Sequence, residues 1–354
     1  MTEEWWPELA PRWEATTADK PSQLTVDIHN HLLVPASAEV AMPYFTPEKD
    51  PRSFFSSEES VRYNKESRAV VMDKFTLPEP RIADMDLMGI DMQAVAIAPP
   101  HYFYWLDEDV APGVSAMQNE RIAEVVAGNP DRFVGIATLP MKYPDAAVKE
   151  LERAHRELGF NGFEVNADID GEELDDRRFD PIWAKAEELG VLCILHPQGF
   201  THGQRMSDYY LINVVCMPLA STLTVSRMIL GGVWERYPDF KMLVVHGGGY
   251  LPFYSARTDH AFRHRPEMRR HIDRDKLPSD YLAKLYFDTT VFDPRMVEQL
   301  VENYGADHVL LGTDYPFDMG STDPLGFISQ ARLTAAQRDL VVGGNAARML
   351  GIGT

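Results

Sequence analysis

Cysteine is almost absent from this 354-residue chain, which carries only Cys193 and Cys216. Both lie in apolar surroundings, so buried free thiols in a reducing compartment are expected, not a disulfide framework. Basic residues are scarce too: 34 Lys and Arg face 54 Asp and Glu, a formal net charge of −20. That field repels polyanions and argues against a nucleic-acid or anionic-membrane partner. A small anionic substrate is still allowed, provided a metal or arginines supply local positive charge. The basic cluster Arg263-His264-Arg265 with Arg269-Arg270-His271 reads as a solvated helix face or an interface patch. No apolar run approaches a membrane span, and Met1-Thr2-Glu3-Glu4-Trp5-Trp6 lacks the basic start and apolar stretch of a signal peptide. Tandem repeats and low-complexity tracts are missing as well. These absences point to a cytoplasmic protein. At 45% apolar and 25% charged residues, it has the composition of a globular domain with a sizeable core.

What the chain does have is alternation. Short β-branched runs at 24–29, 92–98, 133–139, 162–166, 191–196, 241–246, 284–289 and 308–312 are separated by amphipathic stretches. The latter fall at 116–127, 145–158, 181–189, 221–236, 294–304 and 334–350. Asn129-Pro130 and Gly159 stop helices, and Asp293-Pro294 opens one. Near-continuous apolar strands imply burial on both faces, as in a parallel sheet covered by helices. Eight such units fit an α/β (β/α)8 TIM barrel better than a doubly wound open sheet, because the chemically active residues are spread over many strand ends. Residues 35–80 are too long for an ordinary connection and form an insertion or lid after the first strand. Residues 1–22, with Trp5, Trp6 and Trp13, form an N-terminal extension to the 23–354 barrel.

The strand ends carry the chemistry. The run Val26-Asp27-Ile28-His29-Asn30-His31 places two imidazoles on one side of an extended backbone. His196, His246 and Asp314 each close a later apolar run. In a barrel those ends converge on one face, and three imidazoles with one carboxylate make an open Zn2+ site. His246 has three readings: a fifth ligand, a ligand to a second metal, or a free acid/base. A second metal would want a bridging carboxylate at the fourth strand, where Glu164 is the only candidate. One metal with His246 as proton shuttle is the preferred arrangement. Phe317, beside Asp314, is placed to wall a planar substrate, and the aromatic run ending at Trp105 either does the same or packs its own loop. The glycines after His246 either let backbone approach a ligand or turn the chain tightly into a helix.

The combination Asp27-Ile28-His29-x-His31, His196-Pro197, His246-Gly-Gly-Gly and Leu311-Gly-Thr-Asp314-Tyr-Pro-Phe317 resembles the decarboxylase-type branch of the amidohydrolase superfamily. Within that branch it is most similar to the aminocarboxymuconate-semialdehyde decarboxylases. Arg81-Ile82-Ala-Asp-Met85-Asp86, Arg132-Phe-Val-Gly135 and Met228-Ile-x-Gly231-Gly232-Val233 agree with it. The resemblance implies a barrel binding one Zn2+, or Mn2+, through His29, His31, His196 and Asp314, with His246 as acid/base. It also implies nonoxidative decarboxylation of an unsaturated or aromatic acid in aromatic-compound catabolism, in a homodimer or higher oligomer. Arg68 and Arg257 match two arginines that hold carboxylates, the latter given to the neighbouring subunit. Gln198 and the stretch 208–213 depart from the family pattern where substrate is read. The competing activities are a hydrolase or hydratase using the same residues. A structural zinc in a binding protein fits poorly, since such sites are closed.

Overall fold

The structure, a computed structural model, describes residues 12–199 and 203–353. Its barrel strands are β1 Val26–Leu32, β2 Met92–Ile97, β3 Phe133–Gly135, β4 Gly162–Val165, β5 Leu192–Leu195, β6 Lys241–Val244, β7 Tyr286–Asp288 and β8 Val309–Leu310, and a separate hairpin pairs Asp168–Ile169 with Glu172–Glu173. All neighbouring barrel pairs are parallel. The ladders β1–β3 and β4–β8 are joined by bridges Ala137–Phe163 and Asn30–Tyr315. The Ile28 amide donates to Leu311 O (2.9 Å) and the His31 amide to Tyr315 O (2.8 Å), which completes the seam. The sheet is thus the expected closed barrel.

The strands are largely apolar on both faces, and the faces divide by alternation. Ala94, Leu192, Ile194, Leu243, Val245 and Leu310 fill the inside. Val95, Cys193, Leu195, Met242 and Val244 face the surrounding helices and the buried Trp183 and Trp234. Helix Asn345–Leu350 closes the floor. Asn345 Nδ2 donates to Ala306 O (2.7 Å) and Val309 O (2.8 Å), and Leu350 packs with Ile136 and Leu192.

One irregularity prepares the site. Asp27 pairs with Gln93 and Asn30 with Val95, three steps along β1 against two along β2. This bulge lets His29 and His31 face inward above Ile28, and sends Asn30 out to Arg81 Nη1 (3.0 Å).

Three expectations need correction. The helix expected at 221–236 starts earlier and breaks into Cys216–Leu230 and Val233–Arg236, because Gly232 takes a left-handed φ of 75°. The C-terminal helix is interrupted by a π turn at Leu340–Gly344. An apolar stretch of membrane-span length does exist, at Leu211–Leu230, with half of its most apolar window buried. It forms two helices here, and Cys216, Ala220, Val225, Met228 and Ile229 sink into the core, as a core helix of a barrel requires. Cys193 and Cys216 are buried free thiols.

Residues 35–76 form short helices, including Pro35–Ala41, Pro51–Phe54, Glu58–Val70 and Met72–Thr76. They cross the C-terminal end of the barrel, where the Ser57 amide donates to Ser207 O (3.1 Å). Of the N-terminal tryptophans, Trp13 is 7% exposed and packs on Tyr315 with the two rings inclined at 59°. Trp5 and Trp6 lie outside the described residues.

Candidate metal centre

His29 and His31 of β1, His196 after β5 and Asp314 after β8 meet at the C-terminal face, with one ligand atom from each lying within 4.8 Å of the others. The imidazole centroids are 4.8–5.2 Å apart. All four residues are buried. His29 Nε2 and His196 Nε2 have no hydrogen-bond partner among the described residues, and His31 turns its Nε2 to Asp314 Oδ1 at 3.0 Å. Buried, unpartnered imidazole nitrogens beside a carboxylate are costly unless a cation takes them up. The donor set of three nitrogens and one oxygen fits a divalent ion.

The surrounding bonds fix which nitrogen is free. His196 Nδ1 donates to Pro197 O (2.9 Å), leaving Nε2 for coordination. His29 Nδ1 meets Asp288 Oδ2 at 2.6 Å. Asp288 is itself held by the Gly247 amide (2.7 Å) and Thr290 Oγ1 (2.9 Å). Asp27 accepts from Thr313 Oγ1 (2.7 Å), Gln93 Nε2 (2.9 Å) and the His29 amide (3.1 Å), tying β1 to the Asp314 loop. Such outer partners orient ligands and set their basicity.

The electrostatics leave His31 and His196 neutral and hold Asp314 charged, while His29 is drawn toward its charged form by two carboxylates. Burial, together with neighbouring imidazoles, holds His196 well below its ordinary range, and burial takes His31 down to about 4. Burial would also lower His29, but Asp288 and Asp314 carry it well above the usual value. Burial would raise Asp314, yet His246, His29 and His31 hold it well below the carboxylate range.

His246 adjoins the cluster, its ring centroid 5.1 Å from those of His29 and His196, but it is not among the four residues whose ligand atoms gather. Its Nε2 lies 3.8 Å from Asp314 Oδ2, and its side chain is 19% exposed. The glycines that follow make a tight turn into helix Leu251–His264, and that turn aims the Gly247 amide at Asp288. His246 and Asp314 sit at the base of an apolar cleft of about 650 Å³ lined by Met217, Phe253, Val291, Phe292, Met296 and Met319, among others.

The other expected residues divide. Phe317 is at the site, 5.1 Å from the His31 ring. Arg68 is one step away, sharing a small chamber with Arg52, Phe317 and Asp318. Trp105 is not in the metal chamber. It packs on Phe45 (5.8 Å) and Phe103 (5.6 Å) and lines a separate pocket with Gln198. Arg257 is exposed on helix Leu251–His264 and does not line this chain's own cleft. Glu164 is not a ligand: it faces inward from β4 and accepts from Tyr102 Oη (2.6 Å).

Two residues had no clear sequence signal. Asp288 ends β7 within Phe287-Asp288-Thr289-Thr290, and its position at a strand end was the one available cue. Arg52 comes from the insertion. Its guanidinium lies 5.6 Å from the Phe317 centroid, it lines the chamber with His196, His246 and Asp314, and its buried Nε has no partner among the described residues.

Comparisons with known proteins agree with this geometry. A family model described as Amidohydrolase matches residues 26–352. The chain is 34% identical over 276 residues to a 2-amino-3-carboxymuconate-6-semialdehyde decarboxylase of Dictyostelium discoideum, spanning 78% of this chain and 77% of that protein. It is 28% identical over 280 residues to a gamma-resorcylate decarboxylase of Rhodococcus jostii, spanning 72% and 81%. A solved 5-carboxyvanillate decarboxylase of Novosphingobium aromaticivorans, complexed with manganese and 4-hydroxy-3-methoxy-5-nitrobenzoic acid, matches with a TM-score of 0.83. That match covers 96% of this chain and 99% of the other at 22% identity.

Proposed function

Because the chain belongs to the amidohydrolase family, we propose that it is a metal-dependent nonoxidative decarboxylase of an unsaturated or aromatic carboxylic acid. The observation that carries this reading is His246: an imidazole left out of the ligand cluster, next to it, at the floor of an apolar cleft. A structural metal site has no use for such a group. The decarboxylases among its relatives support the same reaction class.

His29, His31, His196 and Asp314 would hold the ion, Zn2+ or Mn2+, which supplies a Lewis-acidic anchor for anionic oxygens of the substrate. Phe317 supports the flat face of the substrate, and Arg52 with Arg68 offers positive charge to an anionic substituent. His246 delivers a proton to the carbon bearing the carboxylate. The carbon–carbon bond then breaks, its electrons restore the π system, and CO2 departs. The apolar cleft keeps water from the carbon being protonated. Exposed Arg257, on the helix whose Tyr254 is 66% exposed, belongs in this reading to the site of a second subunit in a homodimer. The cytoplasm is the compartment that fits two free thiols.

The test is metal analysis with a CO2-release screen over muconate semialdehyde, dihydroxybenzoate and vanillate-type acids. About one ion per chain and CO2 from one of these acids is the expected result. His246→Ala should keep the ion and lose roughly 10²–10⁴-fold in rate. Bound metal with water added to substrate and no CO2 would overturn the decarboxylase in favour of a hydratase.

A further inference from the structure

Asp314 has a left-handed backbone, φ 60°. A residue other than glycine keeps that conformation only where its surroundings enforce it. Its loop closes on itself, with the Ser321 amide donating to Thr313 O (2.7 Å) and the Gly320 amide to Phe317 O (3.0 Å). Those bonds shape the loop, and β1 holds its start to the barrel, through the Asp314 amide on His29 O (2.8 Å), the Thr313 hydroxyl on Asp27 Oδ2 (2.7 Å) and the His31 amide on Tyr315 O (2.8 Å).

The N-terminal segment braces the same loop from its outer side, at both of its ends. The Trp13 ring lies 4.8 Å from that of Tyr315, the residue after Asp314, and Arg81 covers Tyr315 at 4.8 Å. Lys74 Nζ stands 4.2 Å from the Trp13 centroid and also bonds Asp84 Oδ2 (2.6 Å), which accepts from Tyr315 Oη (2.8 Å). At the other end of the loop, the Glu14 amide reaches Thr322 O (3.5 Å). The Thr17 amide and hydroxyl both donate to Asp323 Oδ2 (3.0 and 2.7 Å). The segment lies so close here that a Cβ on Gly326 would sit 2.0 Å from Asp323 Oδ2 and 2.3 Å from Thr17 Oγ1. It is then anchored away from the site by the Thr16 amide on Leu87 O (2.8 Å) and by Lys20 on Asp91 (2.5 Å).

We infer that residues 13–17 are a strap that positions the metal ligand Asp314, with Trp13 as its principal positioning residue. The inference rests on the reading of Asp314 as a ligand. A strap that grips both ends of one loop differs from general packing, because its loss loosens that loop before it loosens the barrel. Trp13 Nε1 is buried without a partner among the described residues, so the indole contributes its ring faces and not its N–H.

The test is Mn2+ affinity of the metal-stripped full chain, followed by the spectrum of the free ion, with the melting temperature of each variant measured alongside. Trp13→Ala should bind Mn2+ about 10-fold more weakly than the unaltered protein, the low end of what losing an outer partner costs. Trp13→Phe should recover most of that loss. Thr17→Val, a milder cut at the other end in case Trp13→Ala does not fold, should weaken binding by about threefold. Val301→Ala, buried in helix Pro294–Tyr304, should lower the melting temperature and leave Mn2+ affinity unchanged. If Trp13→Ala and Thr17→Val melt earlier but bind Mn2+ as tightly as the unaltered chain, the strap only stabilises the fold and the inference fails. If the unaltered chain itself takes up no Mn2+ or Zn2+, the metal reading fails first, and the strap inference fails with it.

Discussion

Asp288 touches no candidate ligand atom, yet it decides how His29 presents itself. Its Oδ2 meets His29 Nδ1 at 2.6 Å, while Gly247 and Thr290 occupy its remaining acceptor capacity. The ring must therefore carry its proton on Nδ1 and leave Nε2 open toward Asp314. Asp288→Asn keeps the shape but can turn an amide N–H toward the ring. Metal affinity should fall about 10–100-fold in competition with a chelator, with little change in melting temperature. Unchanged affinity would mean that His29 is not a ligand. This pairing could not be read from the sequence. His29-x-His31 declares itself through i, i+2 spacing, whereas the contact with Asp288 spans 259 positions and joins two strands whose closeness only the barrel creates. Arg52 was equally hidden, since an arginine in an insertion of short helices has no periodicity to reveal its direction.

Among elements, the strands were legible and their irregularities were not. Runs such as Val191-Leu192-Cys193-Ile194-Leu195 announce a buried strand because both faces must be apolar. The bulge in β1 leaves no such mark, although it aims both histidines. The breaks at Gly232 and at Leu340–Gly344 arise from neighbouring elements, which periodicity cannot include. On β4, alternation alone left the direction of Glu164 open; the structure turns it inward onto Tyr102. Burial pushes its carboxyl from 4.5 up to about 8, only partly opposed by the Tyr102 bond. Between those values the unfolded chain holds fewer protons than the folded one, so stability falls as pH rises. The slope is at most about 1.4 kcal/mol per pH unit, flattening above pH 8. Glu164→Gln cannot titrate and still accepts from Tyr102. The melting temperature of this variant should therefore gain on that of the unaltered protein between pH 5 and pH 8. A gap that stays constant with pH would mean the carboxyl is already ionised in the fold.

For the whole molecule, eight apolar runs with active residues at their ends were enough to specify a barrel and the face that carries its chemistry. Subunit arrangement lies beyond that pattern, and exposed Arg257 is where it can be tested. If Arg257 serves the neighbouring site, mixing Arg257→Ala with His246→Ala chains should restore activity to about a quarter to a half of the unaltered level, because one site in each mixed dimer regains both residues. A fully active monomer would rule this out.

The sealed floor has a consequence of its own. Leu192, Ile194, Leu243 and Leu310 fill the barrel, and helix Asn345–Leu350 lies beneath them. Among the described residues the vessel shows no rear exit, so reactant enters and product leaves at the same end. The non-volatile product must vacate the chamber before the next reactant can enter, and the two compete for one doorway. Only CO2, small enough to slip past an occupant, escapes that queue.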